Sequence, residues 1–389
     1  MAILGLRGTG SWSADERPES WREMILFVEE ARADAPLTAL LSKLDSEPTS
    51  DPHFHWFEEM IHEYAVTATA AYTVDATTIS VNDATVVKVG DILMNMRTLE
   101  KMRVTAVNVS ANQITVTRAF GTTAAAAGNA GDKLLCIGSA YGEGTGAPTA
   151  ITFNPTARVN YCQIFKEAIY LTGTALKTAL RTGDPLANDR ARALRRIAIK
   201  MERAFIFGEP KLATDENGQP LRATAGLLYF IPSGNIIDFS SGVTEKDWDE
   251  ALEKVFTYGN NEKLALCGPR ALTTITRMAK LRGTINMVPT DQTYGLRLAE
   301  YISAHGTLYL LRHPLFGKTP ELSGNMLIVD PPFLVYRYVE GRDLSLLENV
   351  QAPDVDARMD LFIAECGLEV RTGLVHAYFT NITNYVGTG

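Results

Sequence analysis

The stretch "HFHWFEEMIHEY", His53 to Tyr64, gathers His53, His55, His62, Glu58, Glu59 and Glu63 within a few turns of chain. These are the side chains that hold a divalent metal or move a proton. On a helix, His55, Glu59 and His62 would share one face. The spacing does not complete an HExxH zinc site, because the residue four positions after His62 is Val66. Pro52 and the aromatic residues Phe54, Trp56 and Phe57 favour a second account, an aromatic anchor with its polar residues on the wet side.

Other chemistry-bearing residues are scattered. "GLRGTG" and "GEGTGAP" are rich in glycine, but no Gly-Lys-Ser/Thr follows either, so neither reads as a phosphate cradle. No GxSxG elbow occurs. The four cysteines, Cys136, Cys162, Cys267 and Cys366, form no CxxC pair and read as small buried hydrophobes. The residues predict no catalytic site, no cofactor and no metal site.

One concentration of charge remains. "NDRARALRRIAIKMERAFIFGEP", Asn188 to Pro210, reads as a helix that Asn188 or Asp189 caps. Gly208 supplies a left-handed stop and Pro210 forbids continuation. Leu194, Ile197, Ala198, Met201, Ala204 and Phe205 form its apolar stripe. Arg190, Arg192, Arg195, Arg196, Lys200 and Arg203 crowd the other faces, opposed only by Asp189 and Glu202. Cations so placed repel one another unless anions lie close. A solvated amphipathic face is one reading. Carboxylates of a neighbouring subunit or phosphates are the other, and the acidic N-terminal residues Asp15, Glu16, Glu19, Glu29 and Glu30 make carboxylates the favoured source.

The elements around this helix differ in texture. With 389 residues, 46% hydrophobic and 21% charged, the chain is long enough for more than one folding unit with a real core. Its net charge of −8 does not advertise binding to nucleic acid by the molecule as a whole. No secretory signal and no membrane-spanning run is apparent. Residues 1–52 are charged and punctuated by proline, with Trp21, Met24, Ile25 and Val28 as an apolar stripe. They read as an arm that gains order by lying on something else. Between Tyr72 and Ile137, "TTISV", "VVKV", "DILMN", "MRVTAV", "QITVTRAF" and "KLLCIG" are strand candidates separated by turns, a small antiparallel module inserted in the chain. Asn154 to Leu221 reads as mainly helical. Beyond Ala223, helices over Glu245–Tyr258 and Gly268–Leu281 alternate with "KLALCGP", "GTLYLLRH", "NMLIVDPP" and "FLVYRYV", and "MDLFIAECGLEVRTGLVHAYFTNIT" is nearly continuous strand.

In this order, the parts resemble the major capsid proteins of tailed bacteriophages, in the subgroup whose extended loop carries a β-rich insertion. The resemblance rests on "GDILMN…EKMRVTAV…QITVTRAFGTTAAA", "NYCQIFKEAIYLTGTA", "MERAFIFGEP…ATAGLLYFI", "TYGLRLAEYISAHGTLYLLRHPLF" and "NMLIVDPPFLVYRYVEGRD". It implies an α+β fold with an N-terminal arm (1–63) and an extended loop with the β module (64–156). A peripheral domain (157–225) would carry a spine helix over 188–207. An axial domain (226–331) and C-terminal strands returning to the peripheral domain (332–389) would complete it. It further implies self-assembly through hexamers and pentamers into an icosahedral shell around double-stranded DNA, in a virion made in the bacterial cytoplasm. Portal, scaffold and decoration proteins are the partners implied, and a membrane is not. The six cations of the helix, Trp21 and Trp56 are then candidates for contact between subunits. Two alternatives stay open: a cellular nanocompartment shell of the same fold, and a carbohydrate-binding or hydrolytic protein that uses the β module.

Overall fold

The computed structural model describes residues 35–59, 64–148, 150–178, 183–282, 288–289 and 299–387. Trp21, His62, Glu63 and the acidic residues before position 31 lie outside them. The chain divides into two units, Met1–Trp56 with Arg158–Gly389, and Phe57–Ala157.

The first unit is organised by strand Ala357–Val370. It pairs antiparallel with Gln163–Thr172 along that strand's whole length, with Gln163 opposite Cys366 and Thr172 opposite Ala357. Its other edge takes Leu334–Val339 and Ser345–Leu347, and Ser46–Thr49 adds in parallel beyond Leu334–Val339. Opposite residues of an antiparallel pair share a face. Phe165, Glu167 and Ile169 therefore look the same way as Ala364, Phe362 and Asp360. On that face lies helix Pro185–Phe207, whose buried Ala193, Ile197, Met201 and Phe205 join Phe165, Ile169, Phe362 and Ala364 in one core.

Here the structure corrects the expectation of a mainly helical segment after Asn154. "TARVNY" and "QIFKEAIYLT" are strands. Phe165 and Ile169 have the spacing of a helical face, but the intervening inward position is Glu167, a charged residue that hides the alternation. The long helix also starts earlier than expected. Asp184 accepts a hydrogen bond from the Leu186 amide at 3.0 Å, and Pro185 occupies the first turn. Leu194 is exposed rather than part of the stripe. Gly208 does not stop the helix in a left-handed conformation, since its φ is −62° and ψ 150°. It is required for space: a Cβ there would lie 2.4 Å from the carbonyl oxygens of both Ala204 and Thr224.

A second, seven-stranded mixed sheet runs in the order Ile236–Asp238, Ala377–Thr380, Met326–Val329, Glu262–Cys267, Thr307–Arg312, Ala299–Ile302, Val288–Pro289. Its central strands, Met326–Val329 and Glu262–Cys267, are buried on both faces, which is why they read as unbroken apolar runs. Leu264, Leu266, Leu327 and Val329 face the long-helix core. Ala265, Cys267, Met326 and Ile328 belong to a second core that holds Trp248, Leu252, Ala271 and Ile275, from helices Glu245–Phe256 and Pro269–Arg282.

Buried polar groups join these layers. Glu202, on the long helix, does not oppose its cations as expected; it points into the core and is fully buried. Its carboxylate accepts from the amides of Leu37 (2.9 Å) and Thr38 (2.6 Å) and from the Thr38 hydroxyl (2.7 Å). His313 Nε2 lies 2.7 Å from it. Helix Pro36–Leu41 has no side-chain cap of its own, so Glu202 supplies one. Lys263, also buried, donates to the carbonyls of Val255, Tyr258 and Val375 at 2.7, 2.7 and 2.8 Å, and burial lowers its pKa to about 8. His376 accepts from the Asp330 amide at Nδ1 (3.2 Å). Burial, with Lys263 nearby, pushes it down to about 3, so it is neutral in the fold.

The second unit is a six-stranded antiparallel sheet in the order Ala65–Thr67, Lys133–Ser139, Asp91–Asn95, Lys101–Asn108, Gln113–Thr117, Thr78–Ser80. Its two outer strands meet. Ala68 bridges Val81, the Thr69 amide donates to Ser80 O, and the Asn82 amide donates to Thr67 O, both at 2.9 Å. The sheet thus closes into a small barrel without a free edge. Val66, Ile79, Leu93, Met102, Ile114 and Leu134 fill it. This closure gives every strand an inner face, so the unit has a core of its own. "VVKV" is not a strand: Asp83 caps a 3₁₀ turn at Ala84–Val86.

Glu202→Ala is expected to destabilise the first unit by about 3–5 kcal/mol, because it strands buried amides and an imidazole; the midpoint of urea unfolding reads this. A second expectation concerns acid. His376 is depressed in the fold, so the unfolded chain binds its proton first. Its contribution is present above about pH 6.5 and is lost as pH falls toward 3. His376→Asn should flatten the pH dependence of unfolding between pH 7 and 5, where ordinary carboxylates do not titrate.

Candidate inter-subunit surface

The cations of the long helix meet carboxylates supplied by its own sheet. Glu167 pairs with Arg196, and with Lys200 at 2.5 Å. Asp360, fully buried, takes Arg190 at 2.6 Å and Arg358 at 3.2 Å, and accepts from the Asn349 amide at 3.1 Å. Glu348 closes the group with Arg190 at 3.0 Å and Arg358 at 3.1 Å. Arg192 pairs with Asp189 one turn back at 2.9 Å. For these four helix cations, the anions lie within the chain. Arg195 is half-buried and Arg203 exposed.

The electrostatics follow from burial against pairing. Burial alone would raise the Asp360 carboxyl, but the Asn349 amide and the guanidiniums of Arg190 and Arg358 outweigh it and hold it below its ordinary value. Glu167 behaves likewise: burial raises it, and Lys200 and Arg196 together override that and hold it below its ordinary value. Trp56 is only 8% exposed and packs with Phe54, Cys162 and Phe230, so its side chain is occupied within its own unit. The residues around it form a strand, His53–Glu58, and not a helix. His55 and Glu59 are therefore not brought together on a helical face. Among the described residues, no group of three or more His, Cys, Asp or Glu side chains is placed to hold a metal ion. No described helix is long and apolar enough to cross a membrane.

Two surfaces went unnoticed in the sequence. One is an end of the barrel. Met96, Leu99 and Phe120 stand on adjacent turns and are 48%, 53% and 39% exposed. Leu99 has φ +58° and Ala119 φ +50°, a left-handed backbone that glycine or asparagine would adopt at lower cost. The turns are braced from within. Arg118 binds Glu100 through both nitrogens at 2.8 and 2.7 Å, and also donates to the carbonyls of Thr73, Ala76 and Ala126. Arg97 grips Asp132, which also accepts from Asn95 and the Asn129 amide and is held well below the usual carboxylate range, by Arg97 above all. The other surface is hairpin Lys211–Thr214 with Pro220–Ala223, where Leu212 and Leu221 are exposed on opposite faces. A large apolar residue inside a tight turn, with no glycine beside it, was the available signal for the first.

The family model for "SU10 major capsid protein" matches residues 19–383. The major capsid protein of Pseudomonas phage PaMx41 is 29% identical over 321 residues, covering 79% of this chain and 76% of that one. Among solved structures, the capsid of a native GTA particle aligns at 12% identity over 96% of this chain and 97% of that chain, with a TM-score of 0.46. The SrpI encapsulin of Synechococcus elongatus PCC 7942 aligns at 17% identity over 60% and 78%, with a TM-score of 0.43.

The two carboxylates of the basic helix should differ in weight. Asp360→Leu is expected to lower stability by about 1–3 kcal/mol, since the Asn349 amide loses its acceptor and Arg190 and Arg358 keep only Glu348. Glu167→Leu should cost about 1 kcal/mol or less, because Arg196 and Lys200 turn to water. Chemical denaturation of both variants makes the comparison, and equal losses would contradict this account of the helix.

Proposed function

The chain belongs to the SU10 major capsid protein family and is a structural protein of a virion's capsid shell, and from that premise we propose how copies of it cohere. The proposed shell is icosahedral, built from hexamers and pentamers, and encloses double-stranded DNA without reading its sequence. It is made in the cytoplasm of a bacterial host, and portal, scaffold and decoration proteins are its further partners. The net charge of −8 supports an indifferent relation to the genome: a container that clung to DNA would oppose its packing.

The observation that carries the contact reading is the barrel end. Strain in a backbone persists where something else requires the residue. Leu99 stays 53% exposed in its own unit, so burial there offsets little of its left-handed backbone, and its side chain is best explained by a surface it meets on another copy. Met96 and Phe120 extend the same patch. Arg203 is the helix cation assigned first to neighbouring subunits, and Arg195 is a further candidate beside the interaction it already has. Arg190, Arg192, Arg196 and Lys200 contribute to such contacts only beyond the partners they already hold, and Trp56 contributes by holding its strand in place. Trp21, outside the described residues, is proposed as an anchor of the arm.

Electron microscopy of the expressed protein is expected to show closed shells. A stable monomer with affinity for a carbohydrate would overturn the proposal, and particles holding a cargo enzyme instead of DNA would favour a nanocompartment. Leu99→Gly separates strain from contact. It should stabilise the barrel by about 1 kcal/mol and yet reduce the yield of shells. Arg203→Glu should leave the unfolding midpoint unchanged and also reduce that yield.

A further inference from the structure

The pair His53 and His55 stands outside the buried core of the first unit. Strand His53–Glu58 alternates strictly, with Phe54 and Trp56 buried and His53, His55 and Phe57 exposed. The buried pair fixes the register: their rings stack at 6.0 Å, and Trp56 packs against Phe230 at 5.6 Å. Neither imidazole can therefore turn inward without exposing a tryptophan. Residues two apart on a strand project from the same face. The two rings are 4.3 Å apart between centroids, tilted by 55°, and Tyr161 stacks on His53 at 4.8 Å with planes 17° apart.

We propose that His53 and His55 form a two-imidazole chelate for a divalent transition-metal ion, bound most tightly as Cu²⁺. A ring nitrogen lies about 1 Å from its ring centre, so rotation about the side-chain bonds brings one nitrogen of each ring about 3 Å apart. That is the separation of two nitrogens that share an ion at about 2.0–2.1 Å. Neutral imidazole favours late first-row ions, with copper at the head of the order. Two protein ligands leave the remaining coordination positions to water, as expected where no third His, Cys, Asp or Glu converges among the described residues. The strand is held by its buried face, so both rings stay within reach of one ion, and the second nitrogen binds as an intramolecular event. Each chain carries one such pair, so a shell would display it in many copies.

The test uses the untagged full-length protein and CuCl₂. Calorimetry is expected to show one saturable site per chain that acid reverses, because the metal takes only the unprotonated ring. Trp56 is next to His55 on the opposite face, so bound Cu²⁺ should quench a fluorescence component that Trp56→Phe removes. His53→Ala and His55→Ala should each weaken binding by about tenfold or more, with circular dichroism unchanged because both side chains are exposed. Equal Cu²⁺ affinity in the wild type and the double variant would overturn the proposal, and so would binding that only one of the two substitutions affects. Shell yield is unaffected by either result, so the outcome is independent of the assembly reading.

Discussion

A single buried carboxylate sets the terms for the first unit. Glu202 sits where a helix of this amphipathic pattern would ordinarily place an apolar side chain. Burying it without partners would cost several kcal/mol. It is tolerated because donors from two distant places converge on it: the amides that open helix Pro36–Leu41, and His313 just after a strand of the second sheet. Non-directional packing would allow these three elements to slide. A carboxylate with fixed donors does not, so one group specifies how the N-terminal helix, the long helix and the seven-stranded sheet meet.

The crowded cations obey the same logic with the signs exchanged. An acidic chain can carry such a helix because the sheet beneath it turns carboxylates inward at Glu167 and Asp360. The pairs are graded by depth. Asp360 has no contact with water and is fully satisfied, while Arg196 and Lys200 remain wet and add little to stability. Arg203 is exposed, and it is the cation proposed for contacts outside the chain. In the barrel, two further ion pairs do a different job, bracing turns whose large apolar side chains stay partly exposed.

Much of the α+β architecture was legible. Apolar runs such as "MLIV" and "KLALC" are strands because both faces are covered, and turn residues separated the strands of the barrel except at "VVKV", a 3₁₀ turn, and at Ala65–Thr67, which precedes the expected module. The errors share a cause: local pattern reports a residue's type, not the partner it meets. Glu167 made a strand look helical because its partners lie on the long helix. Gly208 suggested a left-handed stop, while its true constraint is the approach of Thr224, which sequence spacing does not encode. Glu202 was counted among surface charges because its donors come from chain segments more than a hundred positions away. The dense group at His53 failed as a helical face for a simpler reason: Phe54 and Trp56 impose a period of two. For the barrel end, the sequence offered only a leucine in a turn.

The order of pairing along the chain has a temporal consequence. The barrel is made from one uninterrupted stretch and can close as soon as that stretch leaves the ribosome. The first unit cannot do so, because the strand to which Gln163–Thr172 and Leu334–Val339 both attach is Ala357–Val370. Until it is synthesised, Phe165, Ile169 and the apolar side of the long helix have no sheet to complete. A polypeptide terminated by a premature stop before Ala357 would therefore lack the means to form its main body.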